Sequence, residues 1–510
     1  MSRAPSGSAP SGSAPSGCAA PDSGPSGSAP STAVPADSVP ATPRRAAGAR
    51  AAVPVRTRAT LLTACLATAL VTIAYTAPTS SLAATADVLH LGAGGRTWIL
   101  TSTLIGLAAL LLTAGSAADD HGRKRVFTSG VLLLSVAAAL GALAPGGGVY
   151  LASRVLLGAA SAAILAPALG LVSHAHPPGP GRIRALGTWG AAVGLGIALG
   201  PVYGALVQQT AGWRAVNGGI AVAAAAVAVA ATAVLTESRA GHPRALDPYG
   251  VLTLAAGTSF LIAGLAQGRT GWGRTPVLVL LALGALLLAL FLVAESLVAE
   301  PMLDLALFRN PGFVAATGGA LFTGLAVVGF MSYLPSLLGS VLGLSGLAAA
   351  EVLALWSGLS VVAALQARRL ADRMSATTQV ATGLLLSGLG QAGLYGLTPG
   401  TPWERLAPGL VVAGIGSGIL NAALARLAVS SVPPHRAAMG SGANNTARYL
   451  GSALGVAITV AVASSTSSPP AGADRATLVA SFLCLLGAAL TLTTRTRTRT
   501  RTRRPVAPVA

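Results

Sequence analysis

Charge is scarce in this sequence of 510 residues: 9% of the residues are charged, 14 are acidic, and Lys124 is the one lysine. Soluble domains carry roughly 25% charged residues, so an ordinary soluble fold is excluded. Hydrophobic residues make up 53% of the chain, and they fall in runs of about 20, the length that a helix needs to cross a bilayer. These runs lack the alternation of apolar and polar residues that marks membrane barrels. The sequence therefore predicts an all-α polytopic membrane protein.

Other absences exclude whole classes of function. No GxxxxGK[ST] phosphate loop is present, which excludes a nucleotide-driven pump of that type. An intramembrane serine protease needs a histidine base inside a span, but all six histidines fall at span ends or in loops. The three cysteines are not spaced for a metal site or an obvious disulfide. We therefore predict no enzymatic activity, no cofactor and no metal.

The net charge of +19 does not indicate a nucleic-acid partner. The cations lie at the ends of apolar runs and in the two tails, and they are not interleaved with aromatic residues on a soluble domain. Membrane topology explains this distribution better, because loops on the cytoplasmic side are enriched in Arg and Lys. The expected partners are the lipid bilayer and a small-molecule substrate.

About fourteen apolar segments lie between residues 60 and 494. Arg and Lys are concentrated in the loops after the even-numbered segments, for example at Arg123 to Arg125, Arg182 and Arg184. This alternation places both termini in the cytoplasm. The predicted organisation is a disordered tail (1–58), a six-helix bundle (59–238), two linker spans (239–300), a second six-helix bundle (301–494) and a basic tail (495–510).

A dense polar segment, GSAADDHGRKR at residues 115–125, interrupts these apolar runs. Asp119 is placed to cap the helix that follows, Gly122 permits the positive φ of a sharp turn, and the three cations after it fix orientation. A shorter charged turn, RRLADR at residues 368–373, follows a later pair of spans. Asp372 stands there as Asp119 stands in the first turn, which predicts two related bundles around a central path, the architecture of a transporter.

Several stretches together resemble one family. These are the pattern GxxxDxxGRKR, LASRVLLGAA around Arg154, GIALGPVYG on the fifth span, PMLDLALFRNPGF and GSGANNTARYLGSALGVA. The chain is similar to the major facilitator superfamily, in particular to its fourteen-span drug:proton antiporters. The resemblance implies two six-helix bundles plus two central spans in the cell membrane. It further implies a monomer that exports hydrophobic or cationic small molecules, such as drugs, antibiotics or secondary metabolites, by proton antiport with alternating access.

The candidate functional residues fall into three groups. A guanidinium inside a span costs about 2.5 to 3.5 kcal/mol unless it faces a cavity or a partner. For Arg154 the alternative is an arginine that extends to the membrane surface from near the span end, and the matching motif around it favours a functional role. Glycines spaced by four lie on one helix face and allow close packing, and a proline in that face adds a kink. The resemblance implies a conformational latch at Gly115, Asp119, Gly122, Arg123, Lys124, Arg125, Asp372 and Arg373, for which a tight turn that only anchors the topology is the alternative. The predicted coupling or cavity residues are Arg154, Tyr75, Tyr203, Asn421 and Asn445, and the predicted antiporter motif comprises Gly196, Gly200, Pro201 and Gly204.

The sequence also departs from the family pattern. Asp120 occupies the place of an arginine, and alanines at Ala69 and Ala74 occupy the places of the span-one carboxylate and asparagine. The remaining carboxylates that could carry a proton, Asp87, Glu295 and Glu351, lie near predicted span ends. Two alternatives therefore stay open: uptake or export of one specific metabolite with another coupling ion, and a membrane sensor that does not transport.

Overall fold

A computed structural model describes residues 55–240, 247–268, 271–298, 300–466 and 468–502. All regular structure in these ranges is helical. The predictions for most of the first tail and for the end of the second concern residues outside the described ranges. The α-helices are α1 Val55–Thr76, α2 Pro78–Val88, α3 Ala93–His121, α4 Arg123–Ala142, α5 Gly147–Ala175, α6 Pro180–Val234, α7 Pro248–Gln267, α8 Thr275–Leu297, α9 Pro311–Phe322, α10 Gly329–Leu342, α11 Gly346–Ala371, α12 Ala376–Ala392, α13 Ala407–Ser430, α14 Ala437–Ala463 and α15 Pro469–Thr502.

Twelve helical segments in the described residues are long and apolar enough to cross a membrane. The all-α polytopic prediction is therefore confirmed. One of the twelve is α6, which runs for 55 residues and contains a single non-helical residue, Gly212, at φ 78°. The sequence predicts one span on each side of this glycine. It also predicts a span at α12, but α12 has 17 residues and is shorter than the length of about 20 expected of a span. The count of fourteen spans stays a prediction.

Two large apolar cores hold the helices together. The first contains Leu107, Phe127 and Leu165 from α3, α4 and α5, and the second contains Phe330 and Leu384 from α10 and α12. In a bilayer, lipid tails are as apolar as these side chains, so close packing rather than transfer from water stabilises such cores. Two cores agree with two bundles, while the residue boundaries proposed for the bundles stay predictions.

The helices α7 and α8 pack against each other, and α7 also packs against α3 and α14. The close approach within the pair requires Gly284, because a Cβ atom there would lie 2.7 Å from the backbone nitrogen of Leu261. Most of α8 remains exposed, including Leu286, Leu290 and Val293. This pair of helices therefore lies beside the place where α3 and α14 meet.

The three motif glycines of α6 all face α1. A Cβ atom at Gly196 would overlap the Thr72 side chain, and one at Gly200 would overlap the Thr76 side chain. Gly204 lies against the backbone of Ala77 in the same way. The predicted close packing along one helix face is confirmed. Pro201 lies inside continuous helix, and its carbonyl accepts a hydrogen bond from the Ser80 hydroxyl at 2.8 Å.

Candidate functional site

We call helices α1–α6 the first half of the molecule and helices α9–α15 the second half. A buried carboxylate joins the two halves at one end. Asp119, in the last turn of α3, is 1% exposed. Its Oδ2 accepts a hydrogen bond from the Met439 backbone N–H at 2.8 Å, and its Oδ1 accepts one from the Ala438 N–H at 3.2 Å. Both N–H groups belong to the first turn of α14, where helix N–H groups have no partner within the helix and the helix dipole favours negative charge. Asp119 thus caps a helix that begins more than 300 residues later.

Arg123 completes this contact from the first turn of α4. Its Nε donates to Asp119 Oδ1 at 2.8 Å, and its Nη2 lies 2.7 Å from the same oxygen. The Nη2 also donates to the Pro434 carbonyl at 3.0 Å, just before α14. The side chain is almost fully buried, so the guanidinium offsets the charge of Asp119 while it binds the opposite half itself. We define Asp119, Arg123, Pro434, Ala438 and Met439 as the latch contact.

Small residues allow α3 and α14 to approach this closely. A Cβ atom at Gly115 would lie 2.5 Å from the Ala438 carbonyl oxygen. One at Gly442, on α14, would lie 2.5 Å from the carbonyl oxygen of Leu111. Gly115 therefore supports the latch contact by allowing α3 and α14 to approach closely, and not through the geometry of the turn.

The expectation that Asp119 caps the helix following it was wrong. Gly122, at φ 118°, is the residue before α4 and supplies no side-chain cap. Glu237, beyond the end of α6, takes that role: its Oε1 accepts from the Lys124 N–H at 3.0 Å and its Oε2 from the Arg125 N–H at 3.2 Å. The cap comes from the segment after α6, while the Asp119 carboxylate is engaged with α14.

The other two cations of the segment bind within the first half. The Lys124 Nζ donates to the Thr232 carbonyl at 2.8 Å, and the exposed Arg125 guanidinium lies 3.9 Å from Glu237. Neither side chain takes part in the contact with α14. Their placement beside the end of α6 agrees with an anchoring role.

The second charged turn is arranged differently from the first. Asp372 and Arg373 are both exposed, and within the described residues Asp372 makes no side-chain hydrogen bond or ion pair. Asp372 lines an open cleft of about 590 Å³ including its solvent opening, together with Pro180 and Arg184 from the first turn of α6. Asp372 thus faces the start of α6 much as Asp119 faces the start of α14, but without the buried contact.

Arg154 lies in the interior of the first half, 1% exposed. Its Nη1 donates to the Ala74 carbonyl at 3.0 Å, the position where the family resemblance implies a polar side chain. Among the described residues, neither its Nε nor its Nη2 has a hydrogen-bond partner. Arg154 is therefore a buried cation without a carboxylate beside it in the described structure.

The remaining predicted cavity residues have separate environments. Tyr75 on α1 makes an edge-to-face contact with Tyr449 on α14, with ring centroids 6.5 Å apart, so it bridges the two halves. The Tyr203 hydroxyl donates to the Val216 carbonyl across the Gly212 break in α6 at 2.9 Å. Asn445 is buried, and its amide donates to the Ser441 carbonyl on its own helix at 3.0 Å.

A cavity lies between the halves, and Asn421 is the predicted residue that lines it. The free space inside the cavity is about 20 Å³, within about 350 Å³ of unfilled volume that includes its opening. Its lining includes the apolar residues Ile197 and Val327 and the polar residues Asn421 and Arg448. The Arg448 Nη2 donates to Asn421 Oδ1, and Trp356 Nε1 donates to Ser417 Oγ at 3.0 Å.

Irregular helix forms one wall of this cavity. Between α9 and α10, residues Thr323–Val328 adopt a π-helix, a form that often occurs at functional sites. A Cβ atom at Gly324 would overlap the Arg448 carbonyl oxygen, so this segment packs directly on α14 at the level of the cavity. The wall is therefore in direct contact with the backbone of Arg448.

Two residues of these sites were missed from the sequence. Arg448 lies in the middle of α14, and the cost of an arginine inside a span, which singled out Arg154, applies to it equally. Glu237 gave a weaker signal, since a carboxylate at the end of an apolar run is usually a solvated surface group. Only the fold shows that it caps α4.

The three carboxylates proposed as proton carriers differ in burial. Asp87 is exposed and forms a surface ion pair with Arg96 at 2.8 Å, and Glu351 is exposed. Glu295, at the end of α8, is 3% exposed, and its Oε2 accepts from the Leu303 N–H at 3.0 Å. Burial therefore separates Glu295 from the other two.

The fold agrees with comparisons to solved structures. The chain superposes on the human organic anion transporter MFSD10 with a TM-score of 0.59 and 19% identity, covering 85% of this chain and 99% of that one. It superposes on the proton:xylose symporter XylE with a TM-score of 0.61 and 12% identity, covering 86% and 95%. At these identities the likeness shows the fold, and both are described as transporters.

Sequence relatives are bacterial resistance and export proteins. The puromycin resistance protein pur8 of Streptomyces alboniger is 32% identical over 379 residues, 71% of this chain and 73% of the relative. The cephamycin export protein CmcT of Amycolatopsis lactamdurans is 32% identical over 426 residues, 81% of this chain and 86% of the relative. The Major Facilitator Superfamily model matches residues 64–456. With more than half of its length matched, a latch contact between two halves and a cavity behind it, this chain belongs to the Major Facilitator Superfamily of membrane transporters.

Proposed function

We propose that the protein is a secondary active exporter of antibiotic-like or secondary-metabolite molecules, located in the cell membrane and driven by proton antiport. The observation that carries the proposal is the pairing of the latch contact with the central cavity. The Asp119 cap holds the halves together at one end, and a cavity of mixed polarity lies between them. A transporter needs this combination, since alternating access requires a central site and a contact that opens at one end at a time.

The direction of transport follows from the relatives. The protein pur8 is described by resistance and CmcT by export, and export of a toxic compound is one way to resist it. The mixed lining of the cavity suits amphipathic molecules, because Val327 and Ile197 pack against an apolar body while Asn421 and Arg448 supply hydrogen bonds. We do not propose an enzymatic role, since the names of these relatives refer to resistance and export.

Orientation is part of the proposal. Arg and Lys are concentrated in the turns at the end that holds Asp119, which favours a cytoplasmic latch contact and cytoplasmic termini. In the described conformation the latch contact is made at that end, and we infer that it separates the cavity from the cytoplasm. The opposite conformation, with the latch contact open, would load cargo from the inside.

Drug susceptibility and vesicle transport test this function together. The full chain is expressed in a bacterial host that lacks its main exporters, and the minimum inhibitory concentrations of puromycin and other antibiotics are measured. We expect at least one to rise several-fold, and an uncoupler to abolish export of that compound from inverted vesicles. The Asp87→Asn variant should export as wild type does, because the exposed ion pair that it removes contributes only about 0 to 1 kcal/mol to stability. No change in susceptibility together with no gradient-dependent transport of any compound would reject the function.

A further inference from the structure

The charge of the central cavity points to a particular class of cargo. Its lining includes Gly194 and Ile197 from the first half and residues of the π-helical segment, α11, α13 and α14 from the second. Arg448 is the one charged residue among those that line the described cavity, and no carboxylate accompanies it there. A cationic cargo would therefore meet a positive charge at the site.

The Arg448 guanidinium is held in place rather than free to withdraw. Its Nη2 donates to the Oδ1 of Asn421, and its backbone packs directly against Gly324 of the π-helical segment. Asn421 on α13 is a neutral acceptor, so it orients the guanidinium without cancelling its charge. A guanidinium presents five N–H donors in a fixed fork, and one bond to Asn421 leaves donors on the same fork for a ligand.

The rest of the lining favours a ligand with one acidic end. Ser357, Ser360 and Ser417 also line the cavity, and serine hydroxyl groups can donate further hydrogen bonds. The Trp356 indole is fixed by its bond to Ser417, so it presents an aromatic wall. An ion inside the membrane is costly unless it is paired, which makes an anionic group on the cargo the natural counter-charge of Arg448.

We propose that Arg448, oriented by Asn421, binds an acidic group of the exported molecule, such as a carboxylate or an ionised phenol, while the body of the molecule packs on Trp356 and Val327. The proposal rests on the proposed export function and narrows its cargo. It replaces the cationic class implied by the family resemblance with amphipathic anions. Bidentate pairing of guanidinium and carboxylate supplies both strength and orientation.

Binding of two dyes of similar shape and opposite charge tests this inference. Fluorescein, an anionic xanthene, and rhodamine 123, a cationic xanthene, are titrated against the purified full-length protein, and binding is followed by fluorescence anisotropy. Wild type should bind fluorescein at least about tenfold more tightly than rhodamine 123, since each 1.4 kcal/mol is a factor of ten. Arg448→Gln should weaken fluorescein binding by about tenfold or more, as expected when a buried charge partner is lost. It should leave rhodamine 123 binding unchanged or stronger.

Two further variants separate a charge effect from a folding effect. Arg448→Lys keeps the charge but loses the fork, so it should retain part of the fluorescein affinity that Arg448→Gln loses. Arg96→Gln makes the same substitution at an exposed site remote from the cavity and should bind both dyes as wild type does. Melting temperatures of all variants identify any that are misfolded. If Arg448→Gln does not fold, the ratio of the two affinities in wild type and Arg448→Lys still decides the question.

The outcomes distinguish the inference from the function on which it rests. Wild type that prefers rhodamine 123, or equal fluorescein binding by wild type and Arg448→Gln, including no binding by either, would overturn the anionic site. If antibiotics are nevertheless exported, the export function stands without it. Charge-selective binding of fluorescein without export of any compound would retain the anion site and reject the exporter.

Discussion

Asp119 on α3 accepts a hydrogen bond from the backbone N–H of Met439 on α14, a residue 320 positions further along the chain. The same carboxylate forms an ion pair with Arg123. One buried carboxylate therefore binds both the N-terminus of a helix and a guanidinium. A contact of this kind has two discrete states, made and broken, because a partly separated buried charge is costly. That property suits a switch between two conformations of a transporter.

Removal of the Asp119 charge should favour the conformation in which the latch contact is open. Asp119→Asn leaves Arg123 without its carboxylate, and breaking a buried pair costs about 3 to 5 kcal/mol. We expect transport to fall at least about tenfold, and a cysteine introduced by Ala438→Cys to react faster with a soluble maleimide when combined with Asp119→Asn than when introduced alone. Asp372→Asn is the control, because Asp372 is exposed; its transport should stay within about twofold of wild type. Equal effects of the two substitutions would contradict a special role for the first turn.

Close packing between α1 and α6 should make one glycine far more sensitive than another on the same helix. Gly200→Ala introduces a methyl group that overlaps the Thr76 side chain, whereas a Cβ atom at Gly218 has nothing within 4 Å. Gly218→Ala should be neutral or stabilising, since Ala is favoured over Gly in a helix interior by about 1 kcal/mol. Melting in detergent should show a loss of several degrees for Gly200→Ala alone. Similar melting temperatures for both variants would mean that the two helices can separate without loss of stability.

The helices and the face shared by the α6 glycines could be predicted from sequence, because both depend on spacing along one helix. Residues four apart lie on the same face, and apolar runs of span length are visible without any knowledge of the fold. The gap between two predicted spans also indicates the Gly212 break, although the structure continues helix on either side of a single residue.

The partners of the functional side chains could not be predicted in the same way. The acceptor for the α14 N–H groups lies in a turn hundreds of residues earlier, and no local pattern records that pairing. Sequence reasoning therefore assigns Asp119 to the nearest helix, α4, whose cap is Glu237. Asn421 is one of several isolated polar residues, and only the packing of α13 against α14 shows that it holds Arg448.

Replacement of Arg154 should separate a transporter from a scaffold. Arg154→Met removes a buried guanidinium, two nitrogens of which have no hydrogen-bond partner in the described part of the chain. Exchange of buried charges for apolar residues of similar volume is often neutral or stabilising. We expect an unchanged or higher melting temperature together with loss of transport, a combination that simple misfolding would not give. Arg96→Met, at an exposed ion pair, should change neither quantity. Full transport by Arg154→Met would assign Arg154 a packing role.

Proton coupling, if it operates through one of the three carboxylates proposed from the sequence, should depend on Glu295. Protonation of a buried carboxylate changes its interactions with the surrounding protein, because burial disfavours the charged form, and Glu295 is the buried one of the three. In vesicles with an imposed pH gradient, we expect Glu295→Gln to lose the stimulation of transport by the gradient. Asp87→Asn and Glu351→Gln should keep that stimulation. Counterflow without a gradient provides the control, because a variant that cannot carry a proton can still exchange cargo for cargo. If stimulation by the gradient survives in Glu295→Gln and disappears in Asp119→Asn, the proton-binding site would be assigned to the latch contact instead. Wild-type transport without any response to the gradient would exclude proton antiport.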